Sequence, residues 1–271
     1  MEIIESFVEG KSPAPEYQCE DILVVVPDFV AVIDGVTNNT GGTYNGRQPG
    51  RFAAETIAAG ISNLPRTVDC FVAARELSAC LQTALAHAEQ DSPGQDPPSA
   101  TAVIFSAGKR QVWRVGDSHL AINGRAYMGS KEIDRVVAAA RSVYLNACLL
   151  EGSTVGHLQQ HDPSREMLHP IFVKQYLFRN KPVALGYGAF DGSPVPRKYI
   201  EFFEVPAGRA EIVLASDGYL TPALTLAQAE RHLRQVLEAD PLLIGPNQET
   251  KGMIPGNLSY DDRAYIRIAT T

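Results

Sequence analysis

The sequence predicts an α+β fold in which antiparallel sheets are covered by helices, and three observations predict it. Short β-branched runs come in pairs joined by tight turns, helical stretches stand apart from those pairs, and no repeat or composition shift divides the 271 residues. The chain therefore reads as a single domain over 1–271, long enough to bury a core without disulfide staples.

The runs ILVVV at 22–26 and FVAVI at 29–33 are separated only by Pro27-Asp28 and read as a hairpin. Pairing Val26 with Phe29 places Asp21 opposite Asp34. A Gly-, Asn- and Thr-rich loop at 37–50 precedes a helix over 51–63. A second helix over 69–89 aligns Cys70, Ala74, Leu77, Leu81, Ala84, Leu85 and Ala88 behind an Asp69 cap. The tract DSPGQDPPS at 91–99 is a linker short enough to stay inside the domain. Strand patterns return at 101–106, 110–115 and 119–123, turning at Gly108 and Gly116.

A helix over 131–150, capped by Ser130, is expected to bury the stripe Ile133, Val136, Val137, Ala140, Val143, Tyr144 and Ala147. Residues 151–198, rich in Gly, Pro and His, give no clear element. Strands at 199–205 and 211–215 follow, and Thr225 with Gln228 forms a capping box that opens a helix running to Glu238. The last strand covers 263–269.

Charge narrows the function classes. The chain carries 24 Lys and Arg against 31 Asp and Glu, a net charge of −7, with no basic run, which argues against a nucleic-acid partner. Its longest aliphatic run, 22–26, is far below the ~20 residues that span a bilayer, and the opening MEIIESFVEGK lacks a signal peptide's basic and apolar regions. Cys19, Cys70, Cys80 and Cys148 form no CxxC pair and read as reduced thiols. A cytoplasmic protein that does not bind membranes is the expectation.

Certain aspartates stand at strand mouths. Asp21 facing Asp34 sets two like charges across a ladder, which is costly unless a cation lies between them. Asp217 ends the run IVLAS, and Asp261 and Asp262 open the final strand. Carboxylates gathered in this way, with no His or Cys at compatible spacing, suit Mg²⁺ or Mn²⁺ better than zinc or copper. Alone, each Asp-Gly pair reads as a turn, and Asp191-Gly192 is expected to be only that. His157, His161 and His169 are spaced as H-x3-H-x7-H but lack a helix signal and the Glu of an HExxH motif, so they read as loop histidines. Ser118 and Ser216 have no matched base and are not nucleophile candidates.

Five segments in order change the weight of these aspartates. QCEDILVVV with Asp21, VAVIDGVTN with Asp34-Gly35, SATAVIFSAGKRQVWRVGDSHLAI with Asp117, LASDGYL with Asp217 and SYDDRAYIRI with Asp261 together resemble the metal-dependent Ser/Thr protein phosphatases of the 2C type, in their bacterial form. KPVALGYG at 181–188 is similar to that family's Ala-Leu-Gly segment. The resemblance implies a four-layer α-β-β-α sandwich with two central antiparallel sheets and a centre of two Mn²⁺ or Mg²⁺ ions at one end, with a third as an option. It implies that Asp34 bridges the ions, the Gly35 carbonyl binds one, Asp217 and Asp261 complete the second, and Asp21 acts through water. Asp117, with Asp217, would help to hold the third ion. The implied reaction is attack on phosphorus by a metal-activated water, with Asp34, Asp217 and Asp261 as the catalytic set and a phosphorylated protein as the partner of a monomer.

Two departures qualify the resemblance. Where many members carry a phosphate-gripping Arg, this chain has Glu16, so either another cation substitutes, with Arg47, Arg51 and His119 as candidates, or phosphate binding is impaired. Where eukaryotic members have a His after Asp-Gly, Val36 stands. A site walled by Glu16 would favour an alternative, a weak or inactive pseudophosphatase serving as a binding or regulatory module. The insertion TNNTGGTYNGRQPG is expected to lie beside the metal site and to reshape access to it.

Overall fold

The computed structural model describes residues 1–37, 42–91 and 97–271. Parts of the 37–50 loop and of the 91–99 linker lie outside the described residues. The strands are β1 (Glu2–Glu9), β2 (Ile22–Val26), β3 (Phe29–Gly35), β4 (Ala100–Ser106), β5 (Gln111–Val115), β6 (His119–Ile122), β7 (Arg125–Tyr127), β8 (Glu201–Glu204), β9 (Glu211–Ala215) and β10 (Arg263–Ala269). The helices are α1 (Pro49–Ile61), α2 (Cys70–His87), α3 (Glu132–Leu150), α4 (Val155–Gln160), α5 (Pro163–Phe172) and α6 (Leu226–Ala239). One five-stranded sheet runs β1-β10-β9-β6-β7 and the other β2-β3-β4-β5-β8. Every named ladder is antiparallel.

Strand alternation assigns the layers. In β3, Phe29, Ala31 and Ile33 face the α1 and α2 side, where Ile57, Leu77 and Leu81 are buried with them. Val30 and Val32 point the other way and pack with Leu120, Leu214 and Ile266 of the opposite sheet. Beyond that sheet, Val213 and Tyr265 meet Ala229 and Leu233 of α6. Helix, sheet, sheet and helix thus stack in four layers.

The hairpin pairs Val26 with Phe29 and Ile22 with Ile33, the expected register. Asp69 caps α2 by accepting from Phe71 N and Val72 N, and the Thr225–Gln228 capping box opens α6. Asp191-Gly192 is a turn, with Ser193 N donating to Asp191 Oδ1 at 2.9 Å.

Two strands stand outside the expected elements, and three expectations are corrected. Strands β1 and β7 carry no clean apolar alternation, because each is an edge strand and β1 slips register between Ile3 and Glu5. Residues 155–172 form α4 and α5, so His157 and His169 are helical rather than in loops. The residue flanking α3 is Lys131, with no side-chain cap; Ser130 does not cap it. The buried face of α3 is also displaced from the apolar stripe: Val136 is 49% and Val143 73% exposed, whereas Arg141 and Ser142 are buried. The reason is polar. Arg141 donates to Asp162 Oδ2 (2.9 Å) and to the Leu242 (2.6 Å) and Glu249 (3.2 Å) carbonyls, and Ser142 Oγ donates to the Ile244 carbonyl. Those bonds tie α3 to the start of α5 and to the 242–249 segment.

Candidate metal centre

Antiparallel pairing brings the end of one strand beside the start of the next, which gathers residues distant in sequence at one rim. Asp34 lies near the end of β3, Asp21 just before β2, Asp117 between β5 and β6, Asp217 just after β9 and Asp261 just before β10. The glycines of two motifs explain how tightly the rim is packed. A Cβ on Gly35 would lie 2.5 Å from the Gly50 carbonyl oxygen, and one on Gly218 would lie 1.8 Å from that of Asp262. Asp-Gly is therefore required here by close approach of neighbouring backbone.

Asp34, Asp117 and Asp217 each offer an oxygen, and these oxygens all lie within 4.8 Å of one another. Among the described residues this is the one trio of His, Cys, Asp or Glu side chains so placed. The trio lines a cavity of about 460 Å³ walled by α3, α4, α5 and the 248–254 segment. Gly35 and Asp261 line the same cavity.

The carboxylates are poorly satisfied. Asp117 Oδ1 and Asp21 Oδ2 are buried without a hydrogen-bond partner. Burial, with the neighbouring carboxylates Asp21 and Asp117, pushes the Asp34 carboxyl well above its usual range. Burial together with Asp34 and Asp117 does the same to Asp217, and burial raises Asp21 against a hydrogen bond with Ser216, with Asp262, Asp261 and Asp217 adding to the rise. Burial pushes Glu20 up to about 7, although Thr37 Oγ1 donates to it at 2.8 Å. Unpartnered buried oxygens on an all-carboxylate donor set fit hard divalent cations such as Mg²⁺ or Mn²⁺.

Three lysines complete the electrostatics, and the sequence reading missed all three. Lys131 Nζ lies 2.8 Å from Asp117 Oδ2 and 3.3 Å from Asp134 Oδ2. Lys11 Nζ lies 3.2 Å from Asp261 Oδ1, and Lys251 Nζ pairs with Asp261 Oδ2. Burial would raise the Asp261 carboxyl, but Lys251 and Lys11 outweigh it and hold it at about 2. Lys131 left one legible signal: a lysine at a helix N-terminus opposes the macrodipole unless an acid partners it, and Asp134 follows three residues later.

The expected substitute cations fare differently. Arg47 and Arg51 both pair with Glu55 and do not line the cavity. His119 does line it, but burial pushes its imidazole down to about 4 and its Nδ1 accepts from Gly129 N at 3.0 Å, so it is neutral near pH 7. Glu16 is exposed and is not part of the cavity lining, so it does not wall the site. The described part of the 37–50 insertion turns away: Tyr44 packs on Phe52 and Asn45 N donates to the Glu89 carbonyl. Among its described residues, Thr37 alone lines the cavity.

The sequence matches no protein-family profile and no curated protein. Solved structures with a similar fold include the serine/threonine phosphatase PstP/Ppp of Mycobacterium tuberculosis, 15% identical over 98% of this chain and 97% of that one, TM-score 0.47. A catalytic domain of PstP in complex with two manganese ions matches at 15% identity over 100% of both chains, TM-score 0.49. The PPM Ser-Thr phosphatase MsPP of Mycobacterium smegmatis, in complex with cacodylate, matches at 16% over 99% of both, TM-score 0.47. These are phosphatases of the class the five segments resemble, and at such identities and scores they carry no activity across to this chain.

Proposed function

We propose that the protein is a Mn²⁺- or Mg²⁺-dependent phosphatase that hydrolyses phosphoserine and phosphothreonine in proteins, acting in the cytoplasm as a monomer. The observation that carries the reading is the convergence of Asp34, Asp117 and Asp217 at the foot of the cavity. Among the described residues no helix is long and apolar enough to cross a membrane.

Divalent ions bound here would lower the pKa of water toward neutrality and offset charge on the phosphoryl oxygens. Asp34, the Gly35 carbonyl, Asp217 and Asp261 would hold two of them, and the free oxygen of Asp117 could join Asp217 in holding another. Asp21, hydrogen-bonded with Ser216 and behind the cavity lining with one oxygen left over, would act on the ions through water. Glu20, steadied by Thr37, backs the same rim. Neutral His119 positions the Gly129 backbone and supplies no charge to the phosphate.

The test is hydrolysis of a phosphothreonine peptide with Mn²⁺, lost in Asp34→Asn and in Asp217→Asn. Equal rates in the presence of chelator would sink the proposal, and a phosphometabolite panel separates a small-molecule phosphatase. A second reading, a pseudophosphatase serving as a binding module, is favoured by the lysines already paired to Asp117 and Asp261. It predicts negligible turnover at any Mn²⁺ concentration, and robust turnover removes it.

A further inference from the structure

We propose that Lys11 and Lys251 form the phosphate anchor of this site: they clamp Asp261 in the metal-free protein, and turn to the cavity to grip a phosphoryl group when a cation takes that carboxylate. The inference rests on the phosphatase reading and names the residues that replace the arginine absent at Glu16.

Elimination among the cavity's cations is the first support. Arg141 is saturated by Asp162 and two carbonyls, and Arg135 pairs with Glu132. Arg165 donates to the Thr250 carbonyl and lies over the Phe172 ring, while Arg179 donates to the Pro97 carbonyl. Lys131 would keep Asp134 even if Asp117 were taken. Lys11 and Lys251 differ, because the carboxylate each pairs with is Asp261, itself a candidate metal ligand.

Charge is the second support. Two ammonium groups share the Asp261 carboxylate with Asp262 as a second anion facing Lys11, so this corner is near balance before any ion arrives and turns positive once a cation takes Asp261. Their side chains are only 16% and 27% exposed, and a half-buried ammonium that loses its partner is strongly driven to find another anion. Lysine's flexible stem lets the charge swing without moving backbone. Lys11 has a fixed base for that swing, since its N–H donates to Asp262 Oδ1 at 2.8 Å and its ammonium stands 5.6 Å from the centre of the Tyr17 ring.

The experiment titrates the full chain, stripped of metal by chelator, with inorganic phosphate in a calorimeter. Wild type should bind weakly, because Asp261 occupies both lysines. Asp261→Asn should bind phosphate at least tenfold more tightly without any metal, and adding Lys11→Met and Lys251→Met to it should abolish the gain. Equal phosphate affinity in Asp261→Asn and wild type would overturn the proposal, as would a gain that survives loss of both lysines. A second measurement uses Lys251→Gln, the milder change. Mn²⁺ should bind this variant several-fold more tightly, since a competing cation is gone, while the KM for a phosphopeptide rises more than kcat falls. Weaker Mn²⁺ binding would overturn the clamp. A wild-type chain that binds no Mn²⁺ defeats the phosphatase reading and the cation-driven release, and the metal-free titration still decides whether the lysines form an anion site. Thermal melts of each variant separate misfolding from altered binding.

Discussion

Asp261 and Asp262 are neighbours in sequence and differ in partners: two lysine ammonium groups pair with Asp261, whereas backbone N–H groups and a tyrosine hold Asp262. Asp262 is a filled acceptor: Lys11 N donates to it at 2.8 Å, Glu20 N at 2.7 Å, and the Tyr17 hydroxyl at 2.6 and 2.8 Å to its two oxygens. It joins the start of β10 to the segment before β2. Across the rim, Asp34, Asp117 and Asp217 crowd together with an oxygen of Asp117 left unpartnered. One half of the rim uses carboxylates to hold the fold, and the other holds carboxylates at a cost to the fold. Buried acids short of donors destabilise a fold, and a bound cation would offset that cost.

The sharpest way to break this contrast is to neutralise one acid from each half. Asp34→Asn should lower phosphatase activity by about a thousandfold, or ~4 kcal/mol of transition-state stabilisation, because it removes a ligand from the metal site. The same change should leave the metal-free protein as stable as wild type or more so, since it relieves repulsion with Asp21 and Asp117. Denaturant melts in chelator beside peptide assays in Mn²⁺ would check both halves of that expectation. Asp262→Ala should do the reverse, destabilising by about 3 kcal/mol through loss of several charge-assisted bonds, while residual folded protein still binds Mn²⁺. A destabilised Asp34→Asn with an unaffected Asp262→Ala would erase the distinction.

Metal itself should sharpen the comparison. If the crowded half is a binding site, Mn²⁺ at a hundredfold excess over its Kd stabilises the chain by about 2.7 kcal/mol, which raises Tm by roughly 5 °C for a protein of this size. Differential scanning with and without chelator reads this directly. A Tm unmoved by millimolar Mn²⁺ would count against both the site and the phosphatase reading.

Much of the architecture was legible because it follows from simple periodicities. The Pro27-Asp28 turn and alternating Val and Ile fix the hairpin register, so Asp21 falls opposite Asp34 with no further information. The buried face of α3 was not legible, because Arg141 and Ser142 are buried through bonds to segments a hundred residues away. Pattern reading places such residues outside. The lysines failed for a related reason. Lys11, Lys131 and Lys251 come from three separate loops and helix ends, and each alone looks like a solvated surface charge. Nor does the pair Asp261-Asp262 reveal which acid is a bolt and which a candidate ligand, since that is decided by Tyr17 and the lysines arriving from elsewhere.

The smallest effect, and the most specific, is in the pH dependence. Glu20 titrates at about 7 in the folded protein, above its ordinary value near 4.5, because burial disfavours its charge. Between those values the native state holds a proton that the unfolded chain releases, so stability rises as pH falls from about 7 toward 4.5. For Glu20 alone the gain is of order 1–3 kcal/mol across that window, and the raised carboxyls of Asp34 and Asp217 add to it in the same direction. The metal-free protein should therefore melt higher at pH 5.5 than at pH 8, and Glu20→Gln should flatten part of that slope. Saturating Mn²⁺ should reverse the sign, because cation binding needs these carboxylates ionised and acid then competes with the metal. Two stability curves that cross between pH 5 and 8, one with chelator and one with Mn²⁺, are what a rim built to hold cations requires; parallel curves would mean that its acids are partnered by the chain alone.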